Sequence, residues 1–231
     1  MPPQNDANSF SSFIQKIKSH IPITTEDRVL EINREFLKGF EFIAHYPKSV
    51  TIYGGTQIKE GNVYYEKARS LGKKIVEELK CAVVTGGGPG IMEAANRGAK
   101  DAKGNSVGIT IKLPHEQETN PYVTNSVDFY YFFVRRVILS FSAESCVFFP
   151  GGFGTLDEFF EILTLRQTHK IPPVPIILFG KEYWEPLEGF FRENLLGKFH
   201  TIREENLQIY KITDDENEVI DIVRKAPLQK M

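Results

Sequence analysis

Seven short apolar runs, each followed by a longer amphipathic or turn-forming stretch, constrain this chain more than any other feature. They read "SVTIYGG", "CAVVTGGG", "SVGITI", "SVDFYYFF", "SCVFFPGG", "VPIILFG" and "LQIYKIT". Each has the length of a strand and is rich in β-branched or aromatic residues. Strand and helix patterns that alternate in this way specify a parallel sheet with helices on both faces. A sheet covered on both faces needs no alternation of apolar and polar residues, which accounts for Val147, Phe148 and Phe149 in succession.

The expected fold is an α/β, Rossmann-like three-layer sandwich with a central parallel sheet and an N-terminal helical extension. Residues 11–44 carry Phe13, Ile14 and Ile17, then Leu30, Ile32, Phe36, Phe40 and Ile43, at mixed three and four spacing. That spacing predicts two helices packed against the main body. Nothing between Ser49 and Val223 reads as a linker, and "HKIPPVPIILFG" reads as a proline-stiffened loop entering a strand. The predicted organisation is a tail with helices over 1–48, a single Rossmann-like domain over 49–225 and a short tail over 226–231.

Bulk properties narrow the partners. The chain has 231 residues, enough for one substantial core. Its net charge is -2 and no block of lysine and arginine interrupts it, so it lacks the footprint of a general nucleic-acid binder. The opening "MPPQNDANSF" lacks the order of a signal peptide, and no apolar run approaches the roughly 20 residues of a membrane helix. A cytoplasmic protein with a small-molecule ligand is expected. Cys81 and Cys146 sit at the edges of apolar runs and read as small hydrophobes rather than as a disulfide or metal site.

Three strand ends are glycine-rich: Gly54-Gly55-Thr56, Gly86-Gly87-Gly88-Pro89-Gly90 and Gly151-Gly152-Phe153-Gly154-Thr155. Ligands of open parallel sheets gather at the carboxyl ends of the strands, where these loops fall. Glycine allows close backbone approach, and a following helix offers unpaired N–H groups and partial positive charge, which suit a phosphate. Pro89 fits the first turn of a helix and Thr155 an N-cap. The dinucleotide and triphosphate templates fail. The spacing G-x-G-x-x-G asks for glycine where Ile91 and Asp157 stand, and no Gly-Lys-Ser/Thr tripeptide occurs.

Two kinds of charged residue adjoin the loops. Thr155-x-x-Glu158 has the form of a capping box, a structural role that competes with a chemical one for Glu158. Glu161 falls on the same side of a helix as Glu158, whereas Asp157 is expected to face solvent or the helix dipole. Arg135 and Arg136 interrupt an apolar segment, where arginines either snorkel to a surface acid or recognise phosphate and carboxylate with their planar forks.

Together "GGGPGIMEAANRGA" (86–99), the Arg135-Arg136 step and "PGGFGTLDE" (150–158) resemble the Lonely Guy (LOG) family of nucleoside 5'-monophosphate phosphoribohydrolases, over roughly residues 49–196. The resemblance implies that Gly87, Gly88, Gly151, Gly152, Gly154 and Thr155 hold the phosphate and ribose of a nucleotide such as AMP or its N6-prenylated form. It implies Arg135 and Glu158 as the catalytic pair and a homodimer or higher homo-oligomer. Gly54, Gly55, Arg136 and Glu161 join the candidate substrate-binding set. The family's Arg-Lys step reads Arg135-Arg136 here and follows "FYYFFV", a departure that leaves the base open.

In such a reaction Glu158 would stabilise the positive ribose and activate water. Arg135 would orient it or assist the departing base. No metal or organic cofactor is called for. Many family members once carried a lysine decarboxylase label, but a pyridoxal-phosphate enzyme needs a lysine beside its phosphate cup, and neither large glycine turn contains one. The rival reading is a non-catalytic nucleotide sensor on the same fold.

Overall fold

In the computed structural model, which describes residues 24–112 and 119–226, all seven apolar runs are strands of one parallel sheet. They are β1 (Ser49–Tyr53), β2 (Ala82–Thr85), β3 (Ser106–Ile111), β4 (Asn125–Phe129), β5 (Ser145–Phe148), β6 (Ile176–Phe179) and β7 (Tyr210–Thr213). Their order is β4-β3-β2-β1-β5-β6-β7. The chain builds outward from β1 to β4, returns to lay β5 against the other side of β1, and builds outward again. β1 therefore pairs with β2 through Val50↔Val83 and with β5 through Ile52↔Val147.

Among the described residues seven α-helices cover the sheet: α1 (Thr25–Ile43), α2 (Val63–Lys74), α3 (Ile91–Asp101), α4 (Phe132–Phe141), α5 (Phe153–Gln167), α6 (Lys181–Phe190) and α7 (Glu216–Lys225). Successive strand residues point to opposite faces. Val50, Ile52, Val83, Val147 and Ile177 form one apolar layer with Leu71 of α2, Ala95 of α3 and Val219 of α7. Val84, Ile109, Cys146 and Phe148 form the other, with Ile138 of α4, Phe159 of α5 and Trp184 of α6. The indole of Trp184 is fully buried and donates to the Phe148 carbonyl at 3.1 Å. This is the three-layer α/β sandwich expected of the sequence. Among the described residues no helix is long and apolar enough to cross a membrane.

Of the two helices expected before β1, α1 is present, with Thr24 and Asp27 forming a reciprocal capping box at its start. Phe13, Ile14 and Ile17, like the tail beyond 226, lie outside the described residues. The apolar positions of α1 are only partly used: Ile43 is buried, but Leu30, Leu37 and Phe40 are exposed. Cys146 is buried, and burial pushes its thiol up to about 12; Cys81 is half-buried, and both are free.

Helices α2 and α3 approach each other through glycine. A Cβ on Gly98 would stand 1.9 Å from the Arg69 carbonyl oxygen, and one on Gly72 would stand 2.4 Å from that of Ala95. Alanine normally stabilises a helix interior relative to glycine by about 0.5–1 kcal/mol. Here the clash with rigid backbone outweighs that gain. Gly98→Ala is expected to lower stability by about 1–3 kcal/mol, measured as a shift of the urea midpoint at constant slope.

Candidate active site

The reversal of strand order between β1 and β5 places two chain segments side by side at the carboxyl edge. Gly55 N–H donates to the Pro150 carbonyl at 2.9 Å, and Ile91 N–H donates to the Gly55 carbonyl at 3.1 Å, so the loops after β1, β2 and β5 form one floor. Close packing forces glycine at several points. A Cβ on Gly54 would meet Ile91 at 2.6 Å, one on Gly55 would meet the Gly151 backbone at 3.2 Å, and one on Gly90 would meet the Gly55 carbonyl at 2.3 Å. Gly90, at φ 74°, is the N-cap of α3, which begins at Ile91. Pro89 therefore precedes the helix instead of occupying its first turn.

A buried polar network holds the second glycine loop from below. Asn96 of α3, fully buried, accepts from Thr85 Oγ1 at 2.6 Å and donates to Ser106 Oγ at 2.9 Å. Thr85 Oγ1 accepts from Gly87 N–H at 2.9 Å. The Asn120 amide donates to the carbonyls of Gly87 at 3.1 Å and Gly88 at 3.0 Å and to Asn96 Oδ1 at 3.0 Å. Buried amides cost free energy unless paired, and here they are paired to the loop they support. Asn96 and Asn120 were not singled out from the sequence, although an asparagine on the small-residue face of "MEAANRGA" was a usable signal.

The third loop turns directly into α5, with Gly152 as N-cap and Phe153 as the first helical residue. Thr155 therefore lies inside the first turn and is not an N-cap, and the capping box read with Glu158 does not form. The physical reason is Gly151. A Cβ there would lie 2.2 Å from Thr155 Oγ1, so the missing side chain is the space that buries Thr155 and lets the helix begin early. Gly152 and Gly154 differ from every other glycine of these loops for which a packing reason is evident. Both have negative or helical φ, and a Cβ on either would meet nothing within 4 Å. Packing does not require glycine at these two positions, which front the unpaired N–H groups of the first turn of α5.

Freed from capping, Glu158 meets Arg135. Arg135 Nη1 donates to Glu158 Oε1 at 2.5 Å, and its Nε donates to the Ile109 carbonyl at 3.1 Å. The two side chains are 9% and 17% exposed. Gly86 makes room for the guanidinium, because a Cβ there would stand 2.3 Å from Arg135 Nη2. Burial raises the Glu158 carboxyl above the ordinary carboxylate range, and the attraction of Arg135 offsets only part of that rise. Arg136 is directed at the same helix but a different face: Nη1 pairs with Asp157 Oδ2, and Nε lies 3.2 Å from Glu161 Oε2 without hydrogen-bond alignment. Asp157 is thus an ion-pair partner and not simply solvent-facing. Burial also raises Glu161, against the pull of Arg136.

The structure thus gathers Gly54, Gly55, Gly87, Gly88, Arg135, Gly151, Gly152, Gly154, Thr155 and Glu158 at one edge, with Arg136 and Glu161 alongside. A hollow of about 290 Å³ lined by Val76, Lys80, Cys81 and Lys103 lies at the opposite edge of the sheet and touches none of them.

A doubly wound parallel sheet with glycine loops at its switch point and a buried arginine–glutamate pair beside a helix N-terminus defines a Rossmann-like α/β protein whose candidate ligand site is the carboxyl edge. The family described as "Possible lysine decarboxylase" matches residues 92–223. The chain belongs to this family, the LOG family. It is 26% identical over 162 residues to the cytokinin riboside 5'-monophosphate phosphoribohydrolase of Rhodococcoides fascians, covering 67% of this chain and 79% of that protein. It is 30% identical over 205 residues to the pyrimidine/purine nucleotide 5'-monophosphate nucleosidase of Escherichia coli K12, covering 81% of this chain but only 43% of that longer protein. In fold it is similar to the molybdenum cofactor binding protein of Rippkaea orientalis, with TM-score 0.57 and 23% identity over 77% of this chain and 95% of that one.

The two kinds of glycine in one motif should separate experimentally. Gly151→Ala is expected to lose about 1–3 kcal/mol, whereas Gly154→Ala, inside the first turn of α5, should unfold at or slightly above the wild-type temperature, and Gly152→Ala, at the N-cap, should lose no more than about 1 kcal/mol. Thermal unfolding of the three variants, measured side by side, checks this.

Proposed function

We propose that the protein hydrolyses the N-glycosidic bond of a nucleoside 5'-monophosphate, releasing free base and ribose 5-phosphate. The observation that carries this reading is the placement of Glu158 on α5, buried against Arg135, one and a half turns from a helix start whose glycines leave room for a ligand. Five residues of helix from Phe153 to Glu158 span about 7.5 Å, the scale of a ribose between its 5'-phosphate and anomeric carbon. The names of the relatives from Rhodococcoides fascians and Escherichia coli support the same reaction class. The favoured substrate is AMP-like or N6-prenylated AMP.

In this mechanism the 5'-phosphate lies on the first turn of α5, where N–H groups and the helix dipole meet it. Binding energy at the phosphate positions the bond to be broken. As the base departs, positive charge builds on the ribose, and the Glu158 carboxylate stabilises it and accepts a proton from the attacking water. The water oxygen bonds to the anomeric carbon, and the bonding pair leaves with the base, which takes up a proton. Arg135 holds the carboxylate in place and keeps it ionisable despite its burial. The reaction calls for no cofactor. The protein would act in the cytoplasm as a homodimer or larger homo-oligomer, and the exposed Leu37, Phe40, Phe133 and Phe141 on α1 and α4 offer apolar surface for that contact.

Purified protein incubated with AMP, GMP, CMP, UMP and N6-isopentenyl-AMP should release base and ribose 5-phosphate from at least one of them, read by chromatography. Glu158→Gln should lower the rate by at least about a hundredfold. Tight nucleotide binding with no release from any of the five would replace the hydrolase with a nucleotide sensor.

Because Glu158 must be ionised to act, kcat/KM is expected to rise with pH through its titration, and burial places that limb above the ordinary glutamate range. A pH profile whose acid limb falls at or below that range would contradict the assignment of Glu158.

A further inference from the structure

The helix that precedes the sheet, α1, lies outside the stretch matched by the family, yet it is bonded to the start of the helix that carries the arginine of the buried pair. The Glu35 carboxylate of α1 accepts two backbone hydrogen bonds, from Tyr130 N–H at 2.7 Å and from Tyr131 N–H at 3.1 Å. Tyr131 is the N-cap of α4, and its own side chain makes no capping bond. Its carbonyl accepts from Arg135 N–H at 3.1 Å, closing the first turn of α4. Arg135 in turn meets Glu158 at 2.5 Å. Three consecutive contacts lead from Glu35 to the carboxylate.

The helix that presents Glu35 is itself fastened. Lys38 donates to the Asp128 carbonyl at 2.9 Å and pairs with the Asp128 carboxylate at 3.2 Å, just before α4 begins. One residue further, Gly39 lies so close to Ile138 of α4 that a Cβ would stand 2.5 Å from its side chain. Phe36 and Phe133 meet at 6.4 Å, and Phe40 and Phe141 at 6.0 Å. A carboxylate at a helix N-terminus is favoured by the unpaired N–H groups and by the dipole, and hydrogen bonds to an ionised acceptor are the stronger kind. Arg135 is the fourth residue of α4, inside the turn that frays when a cap is lost.

We propose that Glu35 is a positioning residue: by capping α4 from a separate helix, it holds Arg135 against Glu158. The consequence for catalysis rests on the function proposed above; the consequence for Glu158 does not. Glu158 faces Arg135 and Arg136 from α4, Asp157 and Glu161 from its own helix, and Tyr53 from β1. Burial raises its titration and Arg135 is the largest influence that lowers it, so with Glu158 still buried a loosened Arg135 leaves it higher.

The test uses the full chain with Glu35→Ala and Glu35→Gln. Carbon-13 labelling of glutamate carboxyls, with Glu158 assigned through Glu158→Gln, follows its titration by NMR. Glu35→Ala should move the Glu158 titration upward and Glu35→Gln, which keeps one acceptor oxygen, by less. In the nucleotide assay Glu35→Ala should lower kcat about tenfold or more while KM stays within about threefold. An unmoved Glu158 titration in Glu35→Ala, or in Glu35→Gln should the alanine variant not fold, overturns the proposal. If the wild type releases no base from any nucleotide, the hydrolase reading fails, and the Glu158 titration still decides the role of Glu35.

Discussion

A parallel strand cannot return through a hairpin, and most of this structure follows from that constraint. Each strand from β1 onward ends at the same edge, so the chain's loops of greatest consequence collect there. Because the order reverses at β1 and β5, the loops after these strands lie adjacent and are hydrogen-bonded through Gly55 and Pro150. The glycine loop of β2 joins the same floor through Ile91 and Gly55. Helices on both faces then follow from the need to bury both apolar surfaces of the sheet.

The buried ion pair is a second constraint laid over the first. Taking Glu158 out of water favours its neutral form, and Arg135 resists that tendency without abolishing it. The arginine is in turn fixed by groups from three other places: the Ile109 carbonyl, the space left by Gly86, and the helix start held by Glu35. A buried, paired carboxylate held above the ordinary glutamate range is a feature that functional sites favour. Arg136, one residue along, points to Asp157 and Glu161, so two successive arginines tie α4 to α5 along different lines.

The seven strands were legible because the unit of the pattern is local. A run such as Ser145–Phe148 is apolar on both faces whatever surrounds it, and the glycines that follow it mark the turn into the next helix. The motif residues were legible for a related reason, since glycine, arginine and glutamate carry their chemistry in the side chain or its absence. The misreadings all concern what a residue touches. Thr155 looked like an N-cap because its spacing to Glu158 suits one, yet the side chain folds into the gap at Gly151 and the helix starts three residues earlier than that cap would place it. Pro89 looked helical, and Gly90 takes the cap instead. Gly86 lay within a recognised motif, but only the packed structure shows the guanidinium against it.

By itself the sequence determined the α/β class, the strands, the edge at which the loops gather and the residue types available there, because each depends on composition and spacing within a few residues. Tertiary structure alone decided which glycines serve packing and which meet open space, that Arg136 turns to Asp157 and Glu161, and that a carboxylate nearly a hundred residues before Tyr130 caps the helix bearing Arg135. These outcomes depend on distances of a few ångströms between segments far apart in the chain. No local pattern encodes them, since burial and pairing exist only once the layers have closed.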